Sequence, residues 1–63
     1  MFKYFTEITE TGEKTSIAIN TERVFCAIDG ESPNTTVLRL ESGAWFTVEG
    51  SLLENVPRLN SKE

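Results

Sequence analysis

The 63-residue chain contains no histidine and only one cysteine, Cys26. Without histidine the commonest general base is missing, and neither a Ser/His/Asp nor a Cys/His arrangement can be assembled. One thiol cannot close an internal disulfide. One Cys and no His cannot supply the four nitrogen and sulfur ligands of a structural zinc site. No apolar run approaches the roughly 20 residues that span a bilayer. The opening residues Met1 to Glu7 lack the long apolar stretch of a signal peptide. Positive charge is scarce: six Lys and Arg stand against ten Asp and Glu, for a net charge of −4. Lys3, Lys14, Arg23, Arg39, Arg58 and Lys62 are scattered, so no basic stripe offers itself to phosphates. Gly12, Gly30, Gly43 and Gly50 stand singly at turns, which excludes a glycine-rich phosphate loop. These absences point to a non-enzymatic chain with no catalytic residue, no metal and no cofactor. A lone thiol fits a reducing compartment, so a cytoplasmic location is expected.

What is present is β-forming. Hydrophobic residues make up 38% of the chain, and its six aromatics are too many for a solvated tail. Short runs rich in Thr, Val, Ile and aromatics alternate with turn residues, which predicts strands. They cover residues 2–8, 14–19, 24–29, 35–41 and 44–49. Glu10-Thr11-Gly12-Glu13 and Ser42-Gly43 predict hairpin turns. Asn20-Thr21-Glu22-Arg23 predicts a single helical turn or tight bend, and residues 30–34 a loop. Ser51 with Glu54 three residues on has the spacing of a capping box, so a helix starts there. Pro57 is expected to limit that helix to about one and a half turns.

The expected fold is mainly β: a single antiparallel sheet of about five strands in meander order, open or curled towards a barrel, with one short C-terminal helix. Residues 1–59 form the single small domain and residues 60–63 a frayed tail. Leu52, Leu53 and Val56 are expected to cover Ile17, Ile19, Val24, Ile28, Leu38, Leu40, Phe46 and Val48. Meander order leaves the first strand at an edge, guarded only by Lys3 and Glu7.

An open sheet with one covered face should carry polar residues on the other. Here Phe5, Phe25, Ala27, Val37 and Trp45 fall opposite the assigned core. Burying each large side chain is worth about 1.5–3 kcal/mol, so something is expected to cover them. Barrel closure, a second copy and a partner protein are the three covers. Phe5, Phe25, Val37 and Trp45 are the candidate protein-binding residues, since aromatics are enriched where binding energy concentrates. Cys26 alternates with Val24 and Ile28 and reads as a buried, inert thiol. Asp29 and Glu31, the nearest carboxylate pair, flank Gly30 in a loop and read as a solvated turn, without the ligand spacing of a calcium loop. The carboxylates of Glu7, Glu10 and Glu13, and of Glu41, Glu49 and Glu54, read as a soluble rim.

Residues 19–29, then Thr36-Val37-Leu38-Arg39-Leu40, Ser42-Gly43, Phe46-Thr47-Val48-Glu49 and Ser51-Leu52, together resemble the small bacterial flagellar and swarming-motility protein family. The same outline is similar to the sheet part of LytTR-type DNA-binding domains. The resemblance implies a sheet-plus-helix outline and a small accessory role. It transfers no functional residue, because the basic loop residues that a LytTR-type domain uses on DNA are missing.

The expected function is that of a small accessory protein acting by protein–protein contact. It is expected to self-associate through an apolar sheet face or edge, with a dimer favoured, and to be open to a protein partner. One alternative is a sheet-based nucleic-acid-binding regulator using Lys3, Lys14, Arg23 and Arg39. Another is an acidic phage- or plasmid-encoded inhibitor of a host protein.

Overall fold

Alternation of apolar and polar residues is resolved into five strands and a helix in a computed structural model that describes residues 1–61. The strands are β1 (Phe2–Ile8), β2 (Lys14–Asn20), β3 (Val24–Asp29), β4 (Thr35–Leu40) and β5 (Trp45–Glu49). A 3-10 turn, Thr21–Arg23, links β2 to β3, and the helix α1 spans Leu52–Asn60. All pairings are antiparallel. The strand order is β2-β1-β5-β4-β3.

The meander holds within β1–β2 and within β3–β4–β5, but not between them. The 3-10 turn carries the chain from one edge of the sheet to the other, and β5 returns to pair with β1 through Glu7 and Val48. The free edges are therefore β2 and β3, and β1 lies inside the sheet. The two edges do not pair, so the sheet stays open rather than closing into a barrel. Asn20 explains the turn locally. Its side-chain oxygen accepts from the Glu22 N–H at 3.1 Å, capping the 3-10 turn.

The β1–β2 hairpin is closed at both ends. Thr9 N–H donates to the Glu13 carbonyl (2.9 Å), and Thr21 N–H donates to that of Met1 (2.8 Å). Hydrogen-bonded pairs alternate along an antiparallel ladder. The odd-numbered residues of the hairpin therefore bond to each other. The even-numbered residues of β1 turn their amides towards β5, and those of β2 turn theirs to solvent.

One face of the sheet carries the core. Phe5, Ile19, Leu38 and Val48 are buried there, with Ile17, Val24, Ala27, Leu40, Phe46 and Leu59 packed around them. Strict alternation breaks at one place, in β3. Val24 pairs with Leu40 but Cys26 pairs with Arg39, so a bulge at Phe25 shifts the register. Ala27 consequently stands opposite Leu38 on the core side, while Ile28 stands opposite Val37 on the outer side. The expected core position of Ile28 is corrected by this one extra residue. Cys26, partly exposed, follows Arg39 to the outer face rather than entering the core.

The helix is set by its capping box. Glu54 N–H donates to Ser51 Oγ (3.2 Å), and Ser51 N–H donates to Glu54 Oε1 (3.0 Å). α1 runs through Pro57 to Asn60, further than the proline alone suggests and beyond the expected domain end at residue 59. Pro57 removes only the N–H that would reach the Leu53 carbonyl, and Leu53 lies at the surface. The helical residue sealed against the sheet is Asn55, whereas Leu53, at 87%, and Val56, at 38%, are exposed. Asn55 Nδ2 donates to Thr36 Oγ1 (3.1 Å) and the Gly50 carbonyl (3.1 Å), and Thr36 Oγ1 donates to that same carbonyl (2.8 Å). Gly50, at φ 104°, brings this carbonyl to the helix, and a Cβ there would lie 3.1 Å from Asn55 Nδ2. Of the tail expected to fray, residues 60–63, Asn60 ends α1 and the Ser61 carbonyl accepts from Lys3 Nζ, while Lys62 and Glu63 lie outside the described residues.

Candidate contact surface

The outer face of the sheet is built by cross-strand neighbours. Lys14 faces Ile8. The Glu7–Val48 pair places Ile8 beside Thr47. Thr47 faces Val37, and Val37 faces Ile28. A row Ile8–Thr47–Val37–Ile28 thus crosses four strands, flanked by a second row Trp45–Arg39–Cys26. Cross-strand side chains on one face lie about 4.5–5.5 Å apart, so each row is a contiguous surface. Trp45 is 58% exposed and Ile28 47%. Ile8, Val37, Trp45 and Thr47 also line a groove together with Glu10 and Glu31.

Of the four residues predicted to form the contact patch, the structure brings Val37 and Trp45 together on this face. Phe25 stands at its margin. It is the bulge residue of an edge strand, 75% exposed, and borders Arg39, Leu40, Glu41 and Gly43. Phe5 does not belong to the patch. It is 3% exposed, and its partner across the hairpin is Ile17. Directly opposed residues share a face, so Phe5 follows Ile17 into the core. Ala27, assigned to the outer face with it, also lies on the core side.

The exchange sends the even residues of β1 outwards. Phe2 and Tyr4 are 68% and 77% exposed. They stand at the corner of the sheet away from Trp45, because β1 runs antiparallel to β5 and its first residues extend past the end of that strand. The register was the signal for them. Once Ile17 is assigned to the core, the three-residue turn at residues 10–12 places Phe5 beside it and Phe2 and Tyr4 opposite.

The cations lie mostly in intramolecular contacts. Lys3 Nζ donates to the carbonyls of Arg58 and Ser61 at the helix end. Lys14 pairs with Glu49 at 2.7 Å and Arg23 with Glu41 at 3.6 Å. Arg58 donates to the Tyr4 carbonyl and lies 4.3 Å from the centre of the Phe5 ring. The Tyr4 carbonyl points to where β5 has already ended, so Arg58 takes the place of a strand partner. Arg39 remains on the outer face beside Trp45. Lys3 and Arg39 thus lie on opposite faces, and the basic residues of the nucleic-acid reading do not converge.

The chemistry of the described residues is sparse. No three His, Cys, Asp or Glu side chains gather among them as a metal site. Glu54 has its carboxyl held below the ordinary carboxylate value, first by the Ser51 backbone N–H and then by the Ser51 hydroxyl. That shift belongs to the helix cap. No helix among the described residues is long and apolar enough to cross a membrane. No known family model, curated protein or solved structure matches the chain, so no residue takes a role from a relative.

Proposed function

We propose that this chain is a small non-enzymatic accessory protein that acts by protein–protein contact and self-associates through the outer face or an edge of its sheet. The observation that carries this reading is the uncovered outer face, where Ile8, Val37, Ile28 and Trp45 lie in adjoining rows with α1 on the opposite side. A domain of this size has a core that rarely supplies more than about 3–5 kcal/mol, so it gains more than a larger protein from burial on assembly. The pairing of Lys14 and Arg23 within the chain supports a protein partner over a nucleic acid.

Light scattering and sedimentation equilibrium test the reading directly. The expected result is a mass that rises from one protomer towards two as concentration increases to about 1 mM, a range in which weak interfaces saturate. A single-protomer mass throughout overturns self-association. The Trp45→Ala variant then sorts the two surfaces: lost association places the contact on the face, and retained association places it at an edge.

A further inference from the structure

We infer that the second copy is held edge to edge, by antiparallel pairing of β2 with its own symmetry mate about Ile17. This rests on the self-association reading and names the place where it occurs.

The two sheet edges differ in how they are guarded. β3 is interrupted by the bulge at Phe25, and a bulge twists an edge away from a regular partner. β2 is unbroken: all seven residues are in continuous register with β1. Its sequence Lys-Thr-Ser-Ile-Ala-Ile-Asn holds no proline and no carboxylate. Its one charge, Lys14, sits at the end of the strand and is held by Glu49. In a chain of net charge −4 this is a stretch along which two copies approach without opposing carboxylates.

The hydrogen-bond phase of the hairpin selects a register. Lys14, Ser16 and Ala18 turn their N–H and C=O groups outwards, because the odd residues are spent on β1, and Asn20 offers its N–H, its carbonyl being the first acceptor of the 3-10 turn. A two-fold axis at Ile17 sets Lys14 against Asn20 and Ser16 against Ala18 of the second copy. Every outward-facing residue of the strand then finds a partner, the Lys14–Asn20 pair through the Asn20 N–H alone. Axes at Ser16 or Ala18 leave some of them unpaired. The axis at Ile17 also keeps the two Lys14 side chains at opposite ends of the interface. On the core side it places Ile17 against Ile17. That residue belongs to the core yet stays only partly buried, because the core ends there at the sheet edge. The second copy continues the row that begins with Phe5 and Ile17. Such pairing is isologous and closes on itself as a dimer. It leaves both outer faces open, side by side, for a further partner.

Two variants and one cross-link test the inference. Ala18→Pro removes an N–H that points to solvent in the protomer, a substitution an edge strand accepts, so the fold measured by circular dichroism is expected to persist while association weakens at least about tenfold. Ser16→Lys, with charge placed next to the axis, is expected to do the same. Ile17→Cys in a Cys26→Ser background is expected to form a disulfide dimer on mild oxidation, because directly opposed residues of a non-hydrogen-bonded pair lie about 4.5 Å apart. Thr15→Cys is expected to fail, since its counterpart lies about 13 Å along the strand. Dimerisation that survives both edge variants but is lost in Trp45→Ala overturns the edge inference and leaves self-association standing. A wild-type protein that stays a single protomer overturns both.

Discussion

The core face of the sheet buries Thr36 and Asn55 completely, while the outer face leaves Trp45, Phe2 and Tyr4 in water. Polarity alone assigns these residues the other way round. Position relative to α1 decides the outcome. The helix seals what lies beneath it, polar or not, provided each polar atom finds a partner. Asn55 and Thr36 satisfy that condition with one another and with the Gly50 carbonyl, and among the described residues no buried side-chain polar atom lacks a hydrogen bond. On the far side no element among the described residues packs, so aromatics remain exposed and alternation leaves them ready for contact.

Matched truncations on the two faces separate stability from association. Phe5→Ala is expected to cost about 3–5 kcal/mol, the usual range for a buried aromatic, which equals the whole stability expected of so small a core. Trp45→Ala should cost no more than about 0.5 kcal/mol as a surface change. Urea titrations of both variants measure the contrast, and comparable losses would mean that the outer face is as integral to the fold as the core. Asn55→Ala comes next. It leaves Thr36 without its helix partner and opens a void, at an expected cost of about 2–3 kcal/mol. An unchanged urea midpoint would show that the polar pin does not hold the helix to the sheet.

Among the variants beneath and within the helix, the smallest effect lies in its cap. The lowered Glu54 value means that the folded state favours the ionised carboxylate. Its contribution is present above the ordinary carboxylate range and is lost as pH falls through the lowered folded value. Thermal melts between neutral pH and about pH 3 should therefore show a loss of stability that is reduced in Glu54→Gln. Ser51→Ala removes the other half of the box and is expected to cost about 0.5–2 kcal/mol. Identical acid profiles for the wild type and Glu54→Gln would dissociate the cap from the acid response.

Local chemistry made most of the secondary structure legible in advance. The capping box, the Asn20 turn and the residues of all five strands follow from spacing and turn types. Strand order was not legible, because the return of β5 to β1 depends on a long-range pair, Glu7 with Val48, that no local pattern announces. The bulge at Phe25 escaped for a different reason. Val24-Phe25-Cys26-Ala27-Ile28 alternates plausibly in either phase, and the pairing of Arg39 with Cys26 rather than Phe25 decides it. Two of the four predicted contact residues, Val37 and Trp45, lie together on the outer face, since β4 and β5 are regular. Phe5 was misplaced because its face is fixed by the partner strand rather than by its own.

The junction of β1 with β5 also governs how the chain can mature. The hairpin of residues 2–20 and the unit of residues 24–60 each close through neighbours in sequence, whereas Glu7 meets Val48 only after most of the polypeptide exists. Distant pairings of this kind carry a loop-closure cost and come late in folding. During synthesis the hairpin must wait with Phe5 and Ile19 uncovered until Val48 and Arg58 arrive, which makes that interval the moment of greatest exposure to aggregation or chaperone capture.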